Sequence, residues 1–163
     1  MTLSPFLSAP LQVQVHVVAA LIGLILRAFV LYRPRRDQLH KGLGYAWVVA
    51  MAVLALISFA IPSHFTPIGI GPLHGLAVLT LWSLWQGVRY AVVRDFEAHE
   101  AVFRSLYSYG LLTAGAFTFL PGRTMNRIAF GEASQLGWLV IGTVLSLVLL
   151  RLIASRFDWD VRT

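Results

Sequence analysis

The stretch Leu73–Glu100, LHGLAVLTLWSLWQGVRYAVVRDFEAHE, decides the fold class. From about Leu73 to Val93 it is mostly apolar, and a helix that crosses a bilayer needs about 20 such residues. Its charged groups gather towards the far end, at Arg89, Arg94, Asp95, Glu97 and Glu100. A histidine stands at its entrance, His74, and another just past its exit, His99. An apolar middle between polar ends predicts a membrane span.

Composition extends that reading to the whole chain. Of 163 residues, 58% are hydrophobic and 12% are charged, against about 25% charged in a typical soluble domain. Mean hydropathy is +0.74. Such a chain lacks the polar surface to cover itself in water. We read it as one all-α integral membrane domain spanning residues 1–163. The lack of cysteine excludes disulfides, thiolate metal sites and thioether-linked haem. The opening MTLSPFLSAPLQVQVH has no basic segment and predicts a short uncleaved tail.

Five spans are predicted, at about 10–32, 43–61, 73–93, 101–120 and 136–153. Pro10 suits a first helical turn, and Pro34 and Pro62 block continuation of the first two helices. PSHFTPIGIGP at 62–72 reads as an ordered loop, DFEAHEAVFR as a short polar turn, and GRTMNRIAFGEASQ as the longest polar connector. The expected architecture is a four-helix core bundle with a peripheral fifth helix.

Basic residues accumulate on the cytoplasmic side of membrane proteins. With five spans, eleven fall on one side: Arg27, Arg33, Arg35, Arg36, Lys41, Arg89, Arg94, Arg104, Arg151, Arg156 and Arg162. Only Arg123 and Arg127 fall on the other. The prediction is a bacterial inner membrane protein, N-terminus periplasmic and C-terminus cytoplasmic. Because these charges sit where helices leave the bilayer, the net charge of +6 points to lipid headgroups and away from nucleic acid. Every carboxylate lies in a loop or tail, which disfavours a proton pump built on a buried acid.

The histidines then carry the functional question. His16 and His74 fall near the outer face on spans one and three, His40 and His99 near the inner face at spans two and four, and His64 in the outer loop. His16 is 17 residues from Arg33 and His74 is 20 from Arg94, so both lie roughly 25–30 Å above the cytoplasmic border. Alternate helices of a four-helix bundle are commonly diagonal partners, so each pair can face the other across the core. Helical stripes support the idea. His16, Ala20, Gly23 and Arg27 share one face; His74, Leu81, Trp85 and Arg89 another; His40, Gly44 and Met51 a third; His99, Phe103, Gly110 and Ala114 a fourth. Small residues beneath a histidine make room for a macrocycle, and they equally promote close helix contact. A lone membrane histidine is commonly hydrogen-bonded to a neighbouring carbonyl. A two-plus-two arrangement favours axial ligation of one or two b haems by His16 with His74 and His40 with His99. Arg27 and Arg89 are then candidate propionate partners, or lipid-phosphate partners. Glu97 and Glu100 flank His99 and either orient its Nδ1 or solvate the turn.

No phosphate-binding loop, HExxH helix or nucleophile elbow is present, so hydrolysis and phosphoryl transfer have no site here. A quinone site around Trp82, Trp85 and Tyr107 is a further reading. So is a non-catalytic accessory or structural subunit of a larger respiratory or photosynthetic complex, with span five covering the partner.

Two stretches resemble a known family. HKGLGYAWVVAMAVLALISF at 40–59 and HEAVFRSLYSYGLLTAGAFTFLPGR at 99–123 are similar to the uncharacterised bacterial membrane family called domain of unknown function two-three-zero-six. His40, Gly44, Tyr45, His74, His99, Pro121, Gly122 and Arg123 match its pattern, over about residues 12 to 131. The chain departs at His99-Glu100, where members often have His-Arg. The resemblance implies a membrane fold and no established activity. In layout only, the chain also resembles transmembrane di-haem b-type cytochromes of the ascorbate-reductase (five-sixty-one) class. That likeness implies one haem near each face, held by histidines of alternate helices.

Overall fold

The structure, a computed structural model, describes residues 3–31, 37–63, 67 and 69–160. His64 lies outside them. The described residues are helical, with no strand among them. They divide into two compact units, one of Pro10–Leu111 and one of Met1–Ala9 with Leu112–Thr163.

The Pro10–Leu111 unit holds helices α2 (Leu11–Leu31), α3 (Gln38–Ser58), α4 (Pro72–Val92) and α5 (Phe96–Ser105). A π-helical segment follows at Leu106–Leu111. α2, α3 and α4 are each 21 residues, about 31 Å at 1.5 Å per residue. α3 lies against α2 and α4, α4 lies against α5, and the π segment touches both α2 and α4. The buried core joins all of them through Ala19, Trp47, Met51, Leu54, Leu84, Phe103, Leu106 and Leu111.

Two termini set where histidines stand. Asp37 accepts from the His40 N–H at 3.0 Å, the side-chain cap that an orphan helix N-terminus requires. α3 therefore starts at Gln38 rather than near Leu43, and His40 is within it. α4 closes in a Schellman turn: Asp95 N–H donates to Tyr90 O at 2.9 Å and Arg94 N–H to Ala91 O at 3.2 Å. Arg94 takes the left-handed conformation this turn demands, with φ 62°. Asp95 then caps α5, accepting from Ala98 N–H at 3.1 Å. DFEAHEAVFR is thus a tight reversal followed by helix, and His99 rides inside α5.

The second unit contains α1 (Ser4–Leu7), α6 (Leu112–Phe117), α7 (Thr124–Phe130), a 3₁₀ turn (Ser134–Leu136) and α8 (Gly137–Asp160). Within it α6 touches α8 and α7 touches α1. The polar connector after Pro121 is partly helical because Asn126 supplies its internal bonds. Asn126 is fully buried, and its Nδ2 donates to Phe119 O at 2.6 Å and to Ser134 O at 2.8 Å. α8 runs on to Asp160, beyond the expected end of the fifth span.

Three helices are long and apolar enough to cross a membrane among the described residues: Leu11–Val30, Gln38–Ser58 and Ser134–Ala154. The chain is therefore a helical membrane protein. α4 matches α2 in length but carries His74, Thr80, Gln86 and Arg89. The stretch expected as one fourth span is instead α5, the π segment and α6 in succession.

Gly137 is a close-approach position, since a Cβ there would collide with the Phe119 carbonyl and Asn126 Nδ2. Gly142 has open space. Gly137→Ala is expected to lower the melting temperature in detergent, by overpacking of about 1–3 kcal/mol, with Gly142→Ala unchanged or slightly more stable. Thermal denaturation of the two variants checks this.

Candidate functional site

His16 and His74, the two histidines expected near the outer face, both stand at the Ser58 end of α3. His16 Nδ1 lies 3.4 Å from Ser58 Oγ. Ser58 Oγ also lies 2.9 Å from Leu54 O; while the hydroxyl proton goes to that carbonyl, the oxygen accepts and His16 donates from Nδ1. His74, on the next helix, rests on Phe59 with ring centroids 5.8 Å apart. Its Nδ1 accepts the Gly71 N–H at 3.0 Å, which caps α4 and places the neutral ring's hydrogen on Nε2. The two rings thus sit beside adjacent α3 residues with opposite tautomers. A metal ligand binding through Nε2 needs its hydrogen on Nδ1, directed at an acceptor. His16 meets that condition. His74 meets it only after releasing Gly71.

The opposite end of the unit, where His99 stands, is built more tightly. His99 Nδ1 is 2.8 Å from Gly87 O. A carbonyl can only accept, so Nδ1 bears the hydrogen and the Nε2 lone pair is available. The orienting partner of His99 is therefore a backbone carbonyl. Glu100 instead pairs with Arg104 one turn along. The His99 ring meets Phe103 edge-on at 4.7 Å, and Phe103 meets Trp47 edge-on at 5.0 Å. Trp47 Nε1 donates to Gly23 O at 2.9 Å. His40 stands two turns before Trp47 on the same α3 stripe, with its ring half-buried.

Arg27 completes this hub. It is only 5% exposed, with its guanidinium carbon 5.3 Å from the Trp47 ring and 5.9 Å from the Phe103 ring. Its Nε and Nη2 have no hydrogen-bond acceptor among the described residues. Desolvating a cation costs several kcal/mol even after relaxation, while a cation–π contact returns about 0.5–2 kcal/mol. Two rings offset only part of that, so Arg27 stands here at the expense of stability. Ionisable groups facing the core of a membrane helix assembly are rare because they are costly.

Arg89, the other expected propionate partner, is exposed and lies 5.5 Å from the Trp85 ring. Trp82 and Trp85 stack at 4.9 Å on an exposed face, at 55% and 52% exposure, while Tyr107 leans against the core. The structure does not gather those three aromatics into one pocket.

Two residues of the hub escaped the sequence reading. Trp47 falls between Gly44 and Met51 on the His40 stripe, so periodicity alone points to it. Gly87 is buried on α4 between bulky neighbours, and Phe103 fills the place a Cβ there would take. That absence lets α5 approach closely enough for His99 to reach the Gly87 carbonyl.

A family model described as "Predicted membrane protein (DUF2306)" matches residues 13–157. The chain belongs to this family. The match takes in the whole hub and all five histidines of the sequence. The family's description names the membrane and no activity. No curated protein and no solved structure matches the chain.

Gly87→Ala is expected to displace Phe103 and break the His99 hydrogen bond, destabilising the unit by about 1–3 kcal/mol. The His99 ring signal in NMR of selectively labelled protein would move with it. Gly75→Ala, on the same helix with open space, is the control.

Proposed function

We propose that this family member is a membrane-embedded b-type haem protein that carries electrons across or within the bilayer. The observation that carries the reading is the Nδ1-to-carbonyl bond of His99, which leaves Nε2 available in a hub that also holds an unpartnered buried arginine. The donor chemistry fits a haem: imidazole nitrogen for the iron, guanidinium for a propionate. His99 with His40 would serve one site, and His16 with His74 the other. Arg27 is the favoured propionate partner and Arg89 the exposed alternative. A bound b haem supplies reversible one-electron chemistry. The residues of the chain orient the imidazoles, hold the acidic groups and exclude water.

The finer architecture belongs to the same proposal. α2 to α5 form a four-helix core, supported by the closed ring of contacts from α2 through α3, α4 and the π segment back to α2. α4 and the α5-to-α6 stretch then complete five spans. The skew of basic residues supports a bacterial inner membrane with the His40 and His99 end cytoplasmic.

One observation favours a second reading, a non-catalytic accessory subunit. His16, His74 and His99 each already bridge to protein, and Trp47, Met51 and Phe103 fill the core beside them. As struts, the histidines need no cofactor. α8 exposes Trp138, Leu139, Leu147 and Leu150, a surface for lipid or a partner helix.

An absorption spectrum with a pyridine haemochrome separates the two. The haem reading expects a Soret band that His99→Ala reduces, with a further loss in His16→Ala if both sites load. Purified protein without a Soret band, reconstituted with haemin and still without one, rejects it. Constant co-purification with another membrane chain in mild detergent then supports the second.

A further inference from the structure

We propose that Arg27 is the receptor for the carboxylate of an amphipathic, membrane-soluble acid. Nε and Nη2, the two nitrogens without an acceptor, lie on one edge of the guanidinium. That edge presents two parallel N–H groups, the fork that a carboxylate engages through both oxygens. Trp47 and Phe103 are both within cation–π range of the guanidinium, so the free donors lie in its plane. A planar carboxylate matches two parallel in-plane donors better than a spherical ion does.

Among the described residues no side-chain acceptor fills the role at Nε or Nη2. Glu100 is within electrostatic reach of Arg27 but is paired with Arg104, and both side chains of that pair are about half exposed. The carbonyl one turn back, Gly23 O, takes the Trp47 indole N–H. Snorkelling to a lipid phosphate, the ordinary fate of an arginine near a helix end, is incompatible with 5% exposure. The rings against the guanidinium are Trp47 and Phe103, with Glu100, Arg104 and Tyr107 within electrostatic reach; an acid with an apolar body, arriving from the bilayer, suits the aromatic side of this setting. The inference goes beyond the haem reading. A propionate is one source of this carboxylate and a free long-chain acid is the other.

Trp47 is the natural reporter, as its ring adjoins the guanidinium. The test uses the full chain in a neutral maltoside detergent, with Trp82, Trp85, Trp138 and Trp159 replaced by Phe. Laurate is expected to give a saturable change in Trp47 emission. Arg27→Gln should abolish it, and Arg27→Lys, which keeps charge and loses the fork, should weaken it by about tenfold or more. Dodecanol, of the same length without the acid, should give none. Circular dichroism establishes that the variants remain folded, and Arg27→Lys keeps the test open if Arg27→Gln does not. In protein that carries no haem, no response to laurate, or an equal response to dodecanol or in Arg27→Gln, overturns the proposal. So does coupled loss of thermal stability in Arg27→Gln and Glu100→Gln without laurate binding, because Glu100 would then close the fork itself. A haemochrome on the same sample identifies the source. Laurate binding with no haem upholds the carboxylate site and removes the haem reading, while haem that stays bound in Arg27→Gln with no laurate response does the reverse.

Discussion

Gly87 has no side chain, and Phe103 stands where one would be. From that contact the rest of the Pro10–Leu111 unit follows. Phe103 seated against α4 can reach Trp47 on α3. Trp47, anchored to the Gly23 carbonyl, fixes α2 and gives Arg27 its aromatic neighbour. The same close approach brings His99 onto the Gly87 carbonyl. Steric absence at one position thus sets a histidine tautomer and the surroundings of a buried cation. In a membrane, where apolar burial gives helices little reason to prefer each other over lipid, close contact and polar bonds of this kind define the assembly.

The polar groups of the hub are bound by that constraint in different ways. His99 is satisfied and oriented, whereas Arg27 is desolvated and unsatisfied. A protein selected for stability alone has an easy alternative at residue 27, since an apolar side chain of similar volume removes the desolvation cost. The arginine is retained inside the aromatic cluster, one turn below a glycine that opens α2 to Met51. A carbonyl-anchored imidazole and a buried guanidinium with two nitrogens lacking an acceptor among the described residues thus share one hub.

Much of this was legible in the sequence, and what was not has physical causes. The class of the fold followed from composition, and the extent of α2 from an apolar run opened by Pro10; α3 runs from Gln38 to Ser58, earlier at both ends than the expected 43–61. Arg27 was placed on the His16 stripe by period alone. Helix starts were missed because capping is a backbone event: Asp37 and Asp95 read as loop charges until their carboxylates are seen to accept from His40 and Ala98. The partner of His99 was missed because it is a carbonyl, and every residue has one. Asn126 read as part of a polar connector, although its amide is what organises that connector. Gly87 was one glycine among thirteen, and only the neighbouring helix shows what its hydrogen atom makes room for.

The π segment Leu106–Leu111 has a consequence for how the fourth apolar stretch is numbered. Its i→i+5 bonds accommodate an extra residue, and each residue of an α-helix turns its surface by about 100°. A face drawn from His99 and Phe103 through Gly110 to Ala114 therefore slips its frame partway along. Before Ser105 the surface answers to Gly87 and Trp47. From Leu112 onward the chain belongs to the other compact unit. The segment acts as a frameshift written into a helix, letting one apolar run in the sequence serve two sets of neighbours with independent tolerances.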